Sequence, residues 1–101
     1  LEPVAGFKAM ARARRLEEFE TASVRDLRKL TSGPGRLTEA LGITRPRDNA
    51  KDVLSLNSNL QILDDGFRPE RVRITPRIGI TKSAEMPLRY IVPESPFLSR
   101  K

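Results

Sequence analysis

Thr31-Ser-Gly-Pro-Gly-Arg-Leu-Thr-Glu-Ala-Leu-Gly-Ile43 is a short helix written with both of its punctuation marks. Pro34 suits a first helical position, where a missing N–H has no intrahelical acceptor to lose, and Ser32 or Gly33 stands ready as N-cap. Gly42 suits the left-handed position just past a helix end, and Leu37, Ala40 and Leu41 supply an inward face. Two glycines and an unpaired helix start also leave backbone N–H groups open to an anion, with Arg36 projecting a cation from the first turn. An ordinary helix cap explains the same residues. The spacing is not GxxxxGK[ST], so nucleotide hydrolysis has no support here.

Upstream, Ser23 followed three residues later by Asp26 opens a second short helix with Val24, Leu27 and Leu30 on one side. Before it, Pro3, Val4, Phe7, Met10 and Ala11 follow helical spacing, predicting a helix from residue 3 to about 19 with Lys8, Arg12 and Arg15 on its other side. Those cations read either as a solvated face or as a phosphate-tracking one. Downstream, residues 44–52 are polar and turn-rich and predict an exposed connection, while 53–56 are ambiguous.

The rest reads as strands. Leu60–Leu63, Val72–Ile74, Arg77–Ile80 and Leu88–Val92 are the candidates, with Asp64-Asp65-Gly66 as a turn. Gly79 lies between two isoleucines, and an interior glycine weakens a strand unless a backbone or a flat ligand must come close. A bulge or bend that curves the sheet is the alternative. Helices first and strands after predict an α+β fold, N-terminal helices packed on a curved, mainly antiparallel and open-barrel-like sheet. Residues 1–101 are expected to form a single domain or the C-terminal part of a larger one.

Composition narrows the chemistry. The 101 residues are 38% hydrophobic and 32% charged, with eight prolines, six glycines and five aromatics, so the expected core is thin. A net charge of +6 suits a polyanion. Residues 1–36 hold eight basic and five acidic groups and residues 67–101 hold eight and three, so two basic segments flank a slightly acidic middle. With no cysteine and no histidine, thiolate or imidazole zinc sites and Ser-His or Cys-His catalysis have no residues to use, and no metal or cofactor is expected. Glu85 could be imagined as a general base, although a solvated loop glutamate beside Lys82 is the commoner situation. One tyrosine and no tryptophan supply base stacking poorly. No apolar run approaches the ~20 residues that span a bilayer, so no membrane partner is expected.

Thr31–Ile43, Arg77-Ile-Gly-Ile80, Pro87-Leu-Arg-Tyr-Ile91 and Ser95-Pro-Phe-Leu-Ser-Arg100 together resemble the C-terminal half of the alkyladenine, or 3-methyladenine, DNA glycosylases. Leu1-Glu2-Pro3 resembles a family segment that enters a helix, so the likeness runs from end to end. These enzymes flip an alkylated purine out of the duplex and hydrolyse its glycosidic bond. The resemblance implies that Ser32, Gly33, Gly35, Arg36 and Arg45 lie at the DNA backbone, with Arg36 and Arg45 contacting phosphates. It implies that Ile78 and Gly79 line the base pocket, the Ile78 carbonyl helping to hold the attacking water. In the family the catalytic glutamate, stacking tyrosines and a pocket histidine precede the Leu1 position. An incomplete or processed polypeptide is therefore expected, inactive alone and joined to an N-terminal half, with double-stranded DNA carrying an alkylated purine as partner. The implied location is intracellular, on the nucleoid in the cytoplasm or in the nucleus. A non-catalytic nucleic-acid-binding module, or a partner-docking fragment, is the competing expectation. The repair reading requires the helix mouth at Gly33 and the glycine-bearing segment at Gly79 to lie close together.

Overall fold

A computed structural model describes residues 1–100. Its elements are α1 (Phe7–Ala13), α2 (Val24–Thr31), α3 (Pro34–Ala40), α4 (Arg45–Asp48), β1 (Arg73–Thr75) and β2 (Arg89–Ile91). This is an α+β arrangement. The two strands pair antiparallel, with Arg73 opposite Ile91, Ile74 opposite Tyr90 and Thr75 opposite Arg89, and the sheet they form is open rather than closed into a barrel.

The first helix is shorter than its apolar spacing predicts. Gly6 takes the left-handed conformation at its N-cap, and at the other end Arg15 (φ 55) turns the chain, donating to the Arg12 carbonyl at 3.0 Å while Leu16 N–H donates to Ala11 at 2.9 Å. That paired return is a Schellman closure. It sends Leu16 and Phe19 back over Met10, Ala11, Leu30 and Ala40, where a continued helix would have carried them away. Packing outweighs helix propensity here.

The second helix starts where its cap predicts. Ser23 Oγ accepts from Asp26 N–H at 3.3 Å, while the Asp26 carboxylate accepts from Glu20 N–H at 3.0 Å and from Lys29 Nζ at 2.7 Å. Leu30 is fully buried at the centre of the cluster formed by α1, α2 and α3. Thr31 is buried as well, and its hydroxyl donates to the Leu1 carbonyl at 2.5 Å, which ties the start of the chain to the end of α2.

α3 begins and ends at the expected residues, with Gly33 as N-cap, Pro34 at N1 and the chain turning at Gly42 (φ 62). The next segment departs from expectation, since residues 45–48 are helical rather than irregular. Thr44 caps them, its hydroxyl accepting from Arg47 N–H at 3.3 Å and its N–H donating to Asp48 Oδ2 at 2.9 Å. Pro46 stands in the first turn, where proline is tolerated.

Most of the expected sheet is missing among the described residues. Leu60–Leu63 and Arg77–Ile80 are not strands, and the two pairing segments are each three residues long. A strand needs a neighbour along its whole length, and Leu60–Leu63 gains a single backbone bond, from Ile62 N–H to the Val53 carbonyl at 2.9 Å, which builds no ladder. Gly79 at φ 77 also lies outside the extended region. Ile91 and Phe97 are buried, whereas Leu54, Leu56, Ile62, Leu63 and Phe67 are exposed, so the packed core belongs to the helices.

Candidate nucleic-acid interface

Gly33 joins α2 to α3 and sits at φ 96, ψ 155, a conformation essentially reserved for glycine. The residue before it turns inward: Ser32 is buried, the C-cap of α2, with its N–H donating to the Arg28 carbonyl at 3.1 Å. The residues after it face out. Gly35 has nothing within 4 Å of where a Cβ would stand, and Arg36 is exposed on the first turn of α3. No side chain caps the start of this helix.

Arg45 is exposed at the first position of α4. Its neighbours differ from it, because Asp48 takes Arg47 at 3.0 Å and Lys51 at 2.5 Å and leaves Arg45 alone. Hydrogen bonds from Arg47 first, then Lys51 and the Thr44 N–H, hold the Asp48 carboxyl well below the usual aspartate range. Asp48 is thus ionised and saturated. Among the described residues, neither Arg36 nor Arg45 has an ion-pair partner.

Ile78 and Gly79 follow the end of β1, and both are exposed. Nothing lies within 4 Å of a Cβ built on Gly79, so its backbone angle, not crowding, calls for glycine. Neither the cleft of about 610 Å³ beside α1 nor one of about 390 Å³ around residues 51–59 is lined by these two residues. Glu85 is likewise exposed.

The C-terminal segment is what links the two motifs. A Cβ on Gly33 would stand 3.6 Å from Cβ of Ser99. On one side of Ser99 the Leu98 carbonyl accepts from Arg28 Nη2 at 2.9 Å, and on the other the Arg100 carbonyl accepts from Arg89 Nη2. Arg89 Nη1 donates in turn to Thr75 Oγ1 at 3.3 Å. A short path of contacts therefore runs from the mouth of α3 through residues 98–100 to the end of β1, from which Pro76, Arg77, Ile78 and Gly79 continue. Arg28 and Arg89 were not singled out in the sequence, since a guanidinium that clasps a distant carbonyl leaves no local spacing to read.

No group of three or more His, Cys, Asp or Glu side chains that could hold a metal ion occurs among the described residues. No helix among them is long and apolar enough to cross a membrane.

Comparison with known proteins agrees with the motifs. Residues 1–96 match the Methylpurine-DNA glycosylase family. Three relatives carry the name "Putative 3-methyladenine DNA glycosylase". That of Koribacter versatilis is 58% identical over 101 residues, covering 100% of this chain and 46% of the relative. That of Bradyrhizobium diazoefficiens is 43% identical over 100 residues, 99% of this chain and 44% of the relative. That of Methanoculleus marisnigri is 38% identical over 107 aligned residues, 100% of this chain and 49% of the relative. The chain spans about half the length of the curated relatives it matches. Matched along nearly all its length, it belongs to the methylpurine-DNA glycosylase family.

Proposed function

We propose that this chain is the C-terminal part of a base-excision glycosylase that flips alkylated purines of the 3-methyladenine type out of duplex DNA and hydrolyses their glycosidic bond. In that enzyme Arg36 and Arg45 contact phosphates, the backbone around Gly33 and Gly35 approaches the same strand, and Ile78 and Gly79 form one wall of the base pocket. The Ile78 carbonyl helps hold the attacking water. The activating carboxylate and the stacking aromatics come from an N-terminal half of the same polypeptide, so the 101 residues alone do not release bases. The protein works where the genome lies, on a nucleoid or in a nucleus.

The observation that carries this reading is the path from Gly33 through Ser99 and Arg100 to Arg89 and Thr75, in a chain of this family. It leads from the mouth of α3 to the end of β1, the strand that Ile78 and Gly79 follow, and joint use on one nucleotide calls for such an approach. Arg36 and Arg45 support it too, being exposed cations with no ion-pair partner among the described residues. Ser32, buried as a residue with its N–H on the Arg28 carbonyl, holds the mouth in shape at the same backbone approach.

Two measurements test the proposal. Replacing Arg36 and Arg45 together with alanine is expected to flatten the slope of log K against log salt for duplex binding by roughly two units, and an unchanged slope removes both from the interface. Methylated duplex is expected to lose 3-methyladenine in the presence of the full-length polypeptide and to lose none with residues 1–101 alone. Turnover by the isolated chain would refute the division of labour.

A further inference from the structure

The cleft of about 610 Å³ beside α1 has no part in the interface described above. Its apolar floor is Ala11, Leu16 and Phe19, and its rim carries Lys8, Arg12 and Arg15 against a single lining carboxylate, Glu17. All three rim cations are exposed, and none belongs to an ion pair among the described residues. Lys8 and Arg12 share one side of α1 at a spacing of four residues, and Arg15, past the helix end, lines the same cleft. Arg15 holds its place there in the left-handed region, which side chains other than glycine rarely occupy.

The cleft lies beside α1, and α1 packs directly on α3. Glu39, one turn beyond Arg36 on α3, is held at 3.2 Å by Arg14, and Arg14 lies in sequence between Arg12 and Arg15. The Arg14–Glu39 pair thus ties the end of α1 to α3 and engages the Glu39 carboxylate. Three like charges around one cleft repel each other, and a polyanion turns that repulsion into affinity through released counterions.

We infer that Lys8, Arg12 and Arg15 form a second phosphate-contacting surface, which takes the sugar–phosphate backbone of the DNA beyond the stretch held by Arg36 and Arg45. The inference rests on the DNA reading proposed above. The cations meet phosphate oxygens, and the floor of Ala11, Leu16 and Phe19 receives the less polar faces of the sugars.

The test uses the full-length polypeptide, a labelled duplex and a salt series read by fluorescence anisotropy. A Lys8→Gln, Arg12→Gln, Arg15→Gly variant is expected to flatten the log K against log salt slope by about two to three units, at roughly 0.9 per phosphate lost. Its melting temperature is expected not to fall, because glycine relieves the backbone at position 15. Arg12→Gln alone, at an exposed helical position, is expected to give about a third of the flattening and guards against a misfolded triple variant. If the triple variant and Arg12→Gln leave the slope unchanged while Arg36→Ala, Arg45→Ala flattens it, the cleft is not a DNA surface and the wider reading stands. If no variant alters the slope, DNA contact through this chain fails altogether. If duplex binding is unaltered but capture of polyglutamate is lost in the triple variant, the cleft serves an acidic protein segment and the inference is overturned.

Discussion

Gly33 and Ser99 meet across the chain, with 3.6 Å between the Ser99 Cβ and the position a Gly33 Cβ would take. That separation is ordinary van der Waals contact, so space would admit an alanine at 33. The backbone would not: φ 96 with ψ 155 costs a non-glycine residue on the order of 1–3 kcal/mol. Gly33→Ala is therefore expected to lower stability by that amount in urea melts, and trimming the neighbour as Ser99→Gly is expected to restore none of it. Rescue by the trimmed neighbour would show that crowding, not the backbone angle, selects glycine.

The clasp on the C-terminal segment makes a separate prediction. Arg28 and Arg89 donate to the carbonyls of Leu98 and Arg100, on either side of Ser99. A single hydrogen bond from a charged donor contributes about 1.5–3 kcal/mol at most, less where water competes. Arg28→Ala and Arg89→Ala together are expected to raise amide exchange across residues 95–100 at least tenfold while exchange in α2 and α3 changes little. Equal protection in parent and variant would mean that Phe97, which is buried, holds the segment by itself.

Core and surface leucines should differ sharply. Leu30 is fully buried among Met10, Ala11 and Ala40, so Leu30→Ala removes packed atoms and leaves a cavity, an expected loss of about 2–5 kcal/mol. Leu54 is 75% exposed, and Leu54→Ala is expected to stay within about 0.5 kcal/mol. Chemical denaturation of the two variants side by side checks the contrast.

Acid should act on α4 through Asp48. Its carboxyl is held below the ordinary aspartate value of 3.8 by Arg47, Lys51 and the Thr44 N–H, so the unfolded chain takes up this proton before the folded one does. The stabilisation is complete above 3.8 and is lost progressively as pH falls below it toward the folded-state value. The stability difference between the parent and Asp48→Asn is accordingly expected to be constant from pH 7 to about 5 and to shrink steadily below pH 4. Denaturation midpoints across that range measure it, and a gap that widened in acid would reverse the sign of the argument.

Local chemistry was legible in the residues wherever one turn of chain contains the whole cause. Ser23 with Asp26, Gly33 with Pro34, and Gly42 after Ala40 set the limits of α2 and α3, because a cap and its partner lie within four residues of each other. Thr44 with Asp48 carries a signal of the same kind, hidden by the proline between them. Leu60–Leu63 and Arg77–Ile80 differ from expectation for the opposite reason, since β-branched and apolar residues can suit a segment to a strand but cannot provide the neighbouring strand it needs.

The candidate site divides in the same way. Its basic character, its glycines and its family motifs stand in the sequence, and they sufficed to direct attention to Arg36, Arg45, Ile78 and Gly79. Only the folded chain decided that Ser32 turns inward, that Asp48 engages Arg47 and Lys51 but leaves Arg45 free, and that Arg28 and Arg89 clasp the segment beside Gly33. Burial and charge pairing depend on distances between residues far apart along the chain, and those distances exist only after the helices have packed.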